Sequence, residues 1–212
     1  MSKIKFYVFV SLGLFLFASF IVFKGDQRPI CNSEISVLKN DTFVCYDTKL
    51  PPLDSIKHIT YLDLYDPLFG NLPKDIGKLE NLKVLILATN VAMTKIPSEI
   101  AELKNLEELN FTKAFKLKQL PPEICDLPKL KKLTVAWGGL LTAVPDSIGK
   151  LKELEVLDLG HNQLTTLPAS IKELKKLKTL VLWANPISKT ELARIKKMLP
   201  NTKIYFDTPI GY

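Results

Sequence analysis

The chain has 212 residues, 47% of them hydrophobic and 24% charged, which is enough apolar material for a sizeable core and too much for a disordered tail. Lys and Arg number 29 against 22 Asp and Glu, a net charge of +7 spread along the whole length and too diffuse to mark a nucleic-acid binder. Two histidines and three cysteines leave little material for metal sites or base catalysis, so no catalytic residue, metal or cofactor is expected.

Residues 1–25 form a separate segment. After Lys3 and Lys5 comes a charge-free run of 18 residues, Phe6–Phe23, closed by Lys24. At about 1.5 Å per residue it reaches roughly 27 Å, close to the hydrocarbon thickness of a bilayer. The flanking charges favour a cytoplasmic N-terminus with the rest of the chain sent across. Two readings stay open, a signal anchor and a cleaved signal peptide. Leu16, Phe17 and Phe23 occupy the −3 position of the cleavage sites ending at Ala18, Ser19 and Gly25, where a peptidase wants a small residue, and this favours the anchor.

Residues 26–49 read as an N-terminal cap containing Cys31 and Cys45. In an exported domain these two can pair across the cap, closing a loop worth roughly 3 kcal/mol in the chain-entropy estimate; in the cytosol they would stay reduced.

Residues 50–188 repeat. An irregular first unit runs from Leu50 through Ile59, Leu62 and Leu64, and regular copies then open at Leu72, Ile96, Leu120, Val144 and Leu167, at intervals of 24, 24, 24 and 23 residues. Counting the opening residue as position 0, proline follows at +1 (Pro73, Pro97, Pro121, Pro145, Pro168) and isoleucine at +4 (Ile76, Ile100, Ile124, Ile148, Ile171). Leucine recurs at +7, +10 and +13, and Leu87, Phe111, Val135, Leu159 and Leu182 stand at +15. Positions 0, +4, +7 and +10 share one stripe of a helix-like segment, whereas +13 and +15 have the period of two of a strand. One such unit cannot close a core, and stacking buries the leucine faces against neighbours. In residues 189–212, Leu192, Ile195, Met198 and Leu199 make one face of a closing helix, and Ile204 and Phe206 are expected in a last strand.

These units resemble the leucine-rich repeat family, in the variety that opens LPxxIgxLxxLxxLxLxxN, as in Ras-group and bacterial members. The resemblance implies an α/β solenoid: curved, with parallel strands on the concave face and short helical or 3-10 segments on the convex face. The motif asparagine is present at Asn90, Asn162 and Asn185 but replaced by Pro67, Ala114 and Gly138 in the other units, and three units carry one additional residue after it. This is either ordinary variation or a re-aimed rim loop between Ala114 and Gly139. Cys125 is expected as an unpaired convex-side thiol.

Strand residues that point away from the leucines carry any specificity. Trp137, His161 and Trp183 come from consecutive units near one edge of that face, with Val156 and Val181 beside them and Tyr61 and Tyr65 in the first row. Aromatic anchors among small residues suit a protein partner. The other reading has the tryptophans merely covering strand edges. The densest basic stretch, Lys116, Lys118, Lys129, Lys131 and Lys132, reads as a solvated face, with an anionic patch as the sharper alternative. The functional expectation is a non-catalytic module that recognises a protein partner, not nucleic acid, and is membrane-anchored outside the cytoplasm or secreted. A structural surface protein without a selective ligand and an intracellular Ras-group-like regulator are the alternatives.

Overall fold

The computed structural model describes residues 35–38, 42–45, 57–64 and 70–206. Nine strands within them follow chain order across one sheet: β1 (Ile35–Leu38), β2 (Thr42–Cys45), β3 (Tyr61–Leu64), β4 (Val84–Ile86), β5 (Glu108–Asn110), β6 (Lys132–Thr134), β7 (Val156–Asp158), β8 (Thr179–Val181) and β9 (Lys203–Tyr205). The first pair is antiparallel and every later pair parallel. The register follows the period of the sequence, for Leu85, Leu109, Leu133, Leu157 and Leu180 stand opposite one another, and the ladder extends to Leu62 on one side and Ile204 on the other. All five of these leucines are fully buried, as are their +15 partners Leu87, Phe111, Leu159 and Leu182.

The spacing of three between +4, +7 and +10 has a specific cause. Each regular unit holds a 3-10 helix: Lys74–Lys78, Ser98–Glu102, Pro122–Asp126, Asp146–Lys150 and Ala169–Glu173. Its N-cap is the +1 proline, whose ring presets φ between −56° and −69° and whose missing N–H costs nothing at a helix start. In the first of them Ile76 N–H donates to the Pro73 carbonyl at 3.1 Å, Leu79 N–H to Ile76 at 3.1 Å, and Leu82 N–H to Leu79 at 2.9 Å. A chain of i→i+3 bonds stacks every third side chain on one line, so the +4, +7 and +10 residues all enter the core. The unit with Cys125 departs from this. Leu127 precedes Pro128, which pushes it toward extended backbone (ψ 97°), and the next bond, Leu130 N–H to the Leu127 carbonyl, lengthens to 3.4 Å. Cys125 itself is free and buried on this side, as expected. Burial pushes its thiol pKa up.

The closing helix α1 (Lys189–Met198) forms where its apolar face required. Ile195 and Leu199 are buried, and Leu192, Met198, Ile204 and Phe206 pack partly against the core. Ser188 caps it by accepting the Glu191 N–H at 3.1 Å. Glu191 then turns to the last repeat: its Oε1 accepts from Thr166 Oγ1 at 2.8 Å and Leu167 N–H at 3.1 Å, while Arg194 holds both its oxygens at 2.6 and 2.7 Å. These bonds, led by Arg194, hold the Glu191 carboxyl well below the usual range, at about 2. Among the described residues no helix is long and apolar enough to cross a membrane. The Phe6–Phe23 run, Cys31 and Tyr65 lie outside the described residues, and so does the side chain of Cys45.

Candidate functional site

Just past each strand the chain must leave the sheet and return toward the 3-10 side. It does so through one residue in the left-handed region at +17 of every regular unit: Thr89 (φ 62°), Lys113 (63°), Trp137 (59°), His161 (54°) and Ala184 (52°). None is glycine, so each position stores about 1–2 kcal/mol of backbone strain, held by pairing with the next unit. Trp137 N–H donates to the Gly160 carbonyl at 3.0 Å and His161 N–H to the Trp183 carbonyl at 2.9 Å.

This shared turn puts Trp137 and His161 side by side, and the rings stack with centroids 3.5 Å apart and planes at 20°. Trp183, at +16 of the next unit, meets both edge-on, at 4.5 Å from His161 and 5.5 Å from Trp137. Gly160 makes room for it: a methyl built there would lie 2.6 Å from Trp183 Nε1 and 2.9 Å from Cδ1. Trp137 is 42% exposed, whereas His161 and Trp183 are half-buried, and His161 Nε2 is buried with no hydrogen-bond partner. The three rings chosen from the sequence therefore form one patch.

The other candidates fall into place around it. Val156 and Val181 are half-buried on β7 and β8, the latter two residues before Trp183 on the same strand face. Tyr61 does not join them. It heads β3, four strands from Val156 in the same row, roughly 19 Å away at parallel-strand spacing. Asp158 Oδ1 accepts the Gly160 N–H at 3.0 Å, and burial raises its pKa against the lowering effects of that bond and of His161. At the far end of the sheet burial alone pushes the Asp63 carboxyl up to about 6, and its Oδ1 has no partner among the described residues.

Asn162 donates from its buried amide to the carbonyls of Val135 (2.6 Å), Leu159 (3.0 Å) and Gly160 (3.2 Å), and Asn185 does likewise to Leu159 (2.8 Å) and Leu182 (3.0 Å). The motif asparagines thus tie the carbonyls of the ring-bearing turns to one another. In the densest basic stretch Lys131 pairs with Glu107 and Lys132 with Glu108, each at 2.7 Å, and Lys129 donates to Asn105 at 2.7 Å. Among the described residues no group of His, Cys, Asp and Glu could hold a metal ion.

The leucine rich repeat family model matches residues 128–187, the span that contains the ring cluster. Over that span the chain is built of leucine-rich repeats. Solved structures similar to this chain include the plant peptide hormone receptor RGFR1 in complex with RGF2, at 27% identity over 74% of the chain, TM-score 0.57. The Arabidopsis receptor kinase HAESA, in complex with the peptide hormone IDA and the co-receptor SERK1, is 28% identical over 62% of the chain, TM-score 0.53. A plant ice-binding protein is 28% identical over 55% of the chain, TM-score 0.50. The chain spans 25%, 23% and 38% of these structures respectively, so the likeness is to part of each. No curated protein matches the chain at the sequence level.

Proposed function

We propose that this chain is a non-catalytic recognition module that binds a protein partner on the strand face of its repeats, through Trp137, His161 and Trp183 with Val156 and Val181. The observation that carries the reading is the Trp137–His161–Trp183 cluster, three rings in mutual contact at 3.5 to 5.5 Å with one tryptophan 42% exposed. Aromatic side chains with few rotatable bonds lose little entropy when covered, and centrally buried ones often contribute about 2 kcal/mol or more each. Two of the similar structures are receptors in complex with peptide hormones, which supports a protein-binding use of the scaffold.

Placement at a membrane, with the repeats outside the cytoplasm, is part of the same proposal. Its support is the charge-free Phe6–Phe23 run, and secretion after cleavage is the alternative. The test is capture from the native extract by the full chain. Trp137→Ala with Trp183→Ala should abolish it, whereas Lys152→Ala and Lys175→Ala, on the 3-10 side, should leave it intact. A captured partner that binds the double tryptophan variant normally contradicts the assignment.

A further inference from the structure

Four large apolar side chains stand out as exposed among the described residues, and three of them belong to two adjoining units: Phe115 (46%), Trp137 (42%) and Leu140 (40%). Phe115 and Leu140 lie in the lengthened return after the motif asparagine position, and Trp137 in the turn just before it. In the units with the shorter return, one residue separates that position from the next core side chain: Gln163 before Leu164, and Pro186 before Ile187. In the longer ones two residues intervene: Val91-Ala92 between buried Asn90 and Met93, Phe115-Lys116 between buried Ala114 and Leu117, and Gly139-Leu140 between buried Gly138 and Leu141. Both ends are fixed in the core, so the added length bulges outward; it carries Phe115 and Leu140 into solvent, whereas Val91 stays half-buried. The two loops abut, since a methyl built on Gly138 would lie 3.5 Å from the Ala114 carbonyl.

The rim also carries charge of one sign. Some lysines meet a carboxylate one unit away, as in Lys150–Asp126 at 2.9 Å, Lys176–Glu153 at 2.6 Å and Lys178–Glu155 at 2.6 Å. Lys113, Lys116 and Lys118 are exposed, and their ammonium groups have no ion pair or hydrogen bond among the described residues. No Asp or Glu occurs in residues 109–122 or 135–145, so both loops are free of negative charge. Three uncompensated cations thus frame three exposed apolar side chains, an arrangement complementary to a segment that carries the opposite charge and its own apolar anchors.

We propose that the rim formed by Phe115, Trp137 and Leu140, framed by Lys113, Lys116 and Lys118, docks an acidic segment of a protein partner that bears apolar side chains. This rests on reading the ring cluster as a protein-binding patch, and it names the chemistry of what binds there. The occupant is a chain segment because the apolar contacts number three side chains on two neighbouring loops, a few ångströms apart at strand spacing. The rim supplies the steering charge, and the ring cluster beside it supplies the buried anchor.

The probe is a random peptide library of about a dozen residues per member, selected against the immobilised full chain. Enriched peptides should be net acidic with aromatic or large aliphatic residues, and their binding should weaken as salt rises from about 0.05 to about 0.5 M. A synthetic version should bind about tenfold more weakly both to the Lys113→Glu, Lys116→Glu, Lys118→Glu variant and to the Phe115→Ser, Leu140→Ser variant. Reversal of the paired Lys150 and Lys176 should leave binding unchanged, and unshifted melting of the variants shows that the fold survives. Basic, uncharged or absent enriched peptides overturn the proposal, and so does capture of phosphatidylglycerol vesicles by the same lysines in place of peptide. If binding survives the rim variants but is lost in Trp137→Ala with Trp183→Ala, the rim assignment fails while the ring cluster stands. If it survives both, both readings fail.

Discussion

Gly160→Ala is the most revealing small change in this protein. The glycine lies buried in the turn before His161, and an added methyl would come within 2.6 Å of Trp183 Nε1, 2.9 Å of its Cδ1 and 3.3 Å of Asp158 Oδ1. Real Cβ atoms do not tolerate such a separation, so the indole must swing away. That removes two edge-on ring contacts, with His161 at 4.5 Å and with Trp137 at 5.5 Å. At about 0.5–1.5 kcal/mol each, the loss is roughly 1–3 kcal/mol. Against it stands a gain of about 0.4–1 kcal/mol, because alanine restricts the unfolded chain more than glycine does. The net expectation is destabilisation by about 1–2 kcal/mol, read as a lowered urea midpoint with an unchanged slope. Near-ultraviolet circular dichroism should change with it, for the two indoles no longer meet at 88°. A variant with the wild-type spectrum and equal or higher stability would refute the packing of Trp183 on Gly160.

Three further expectations concern the scaffold. Leu157→Asp places a carboxylate at a fully buried central position, and thermal melting should show a loss of at least about 4 kcal/mol; near-wild-type melting would refute the register. Asp63 has its pKa raised to about 6, so its ionisation costs stability as pH climbs from the unfolded value near 4 through 6; Asp63→Asn should stabilise by roughly 1–3 kcal/mol at pH 8 and by much less at pH 4, and a pH-independent effect contradicts this. Glu191 is depressed to about 2, so its contribution is present above its ordinary value near 4.5 and lost as pH falls toward 2. Glu191→Gln should therefore cost about 1–2 kcal/mol at pH 7, with the difference vanishing near pH 2 in denaturant titrations.

The solenoid was legible because its cause is local and repeated. The +4, +7 and +10 spacing encodes i→i+3 bonds, the +1 proline encodes their start, and the leucine at +13 fixes the strand register, so every unit restates the same pattern. The closing helix was legible from Leu192, Ile195, Met198 and Leu199 for the same reason. What escaped the sequence is what repetition does not encode. Thr89, Lys113, Trp137, His161 and Ala184 share a left-handed backbone that none of these residue types announces. Gly160 reads as one more small residue until Trp183 is seen lying on it. Tyr61 looked equivalent to the other strand-face aromatics, but distance across a solenoid grows with every unit, and it ends four strands away. The pairing of Lys131 and Lys132 with Glu107 and Glu108 follows from a separation of 24 residues, one full repeat, which a local window of charge does not show.

The central claim is that a partner covers the Trp137, His161 and Trp183 patch, and site-specific photocrosslinking in the native cell tests it most directly. A photoreactive phenylalanine analogue replaces Trp137 or Trp183 in one set of chains and Lys152 or Lys175 in another. The account predicts a discrete protein adduct from positions 137 and 183 and none from 152 and 175. Adducts that arise equally from both sets, or only from Lys152 and Lys175, would contradict it.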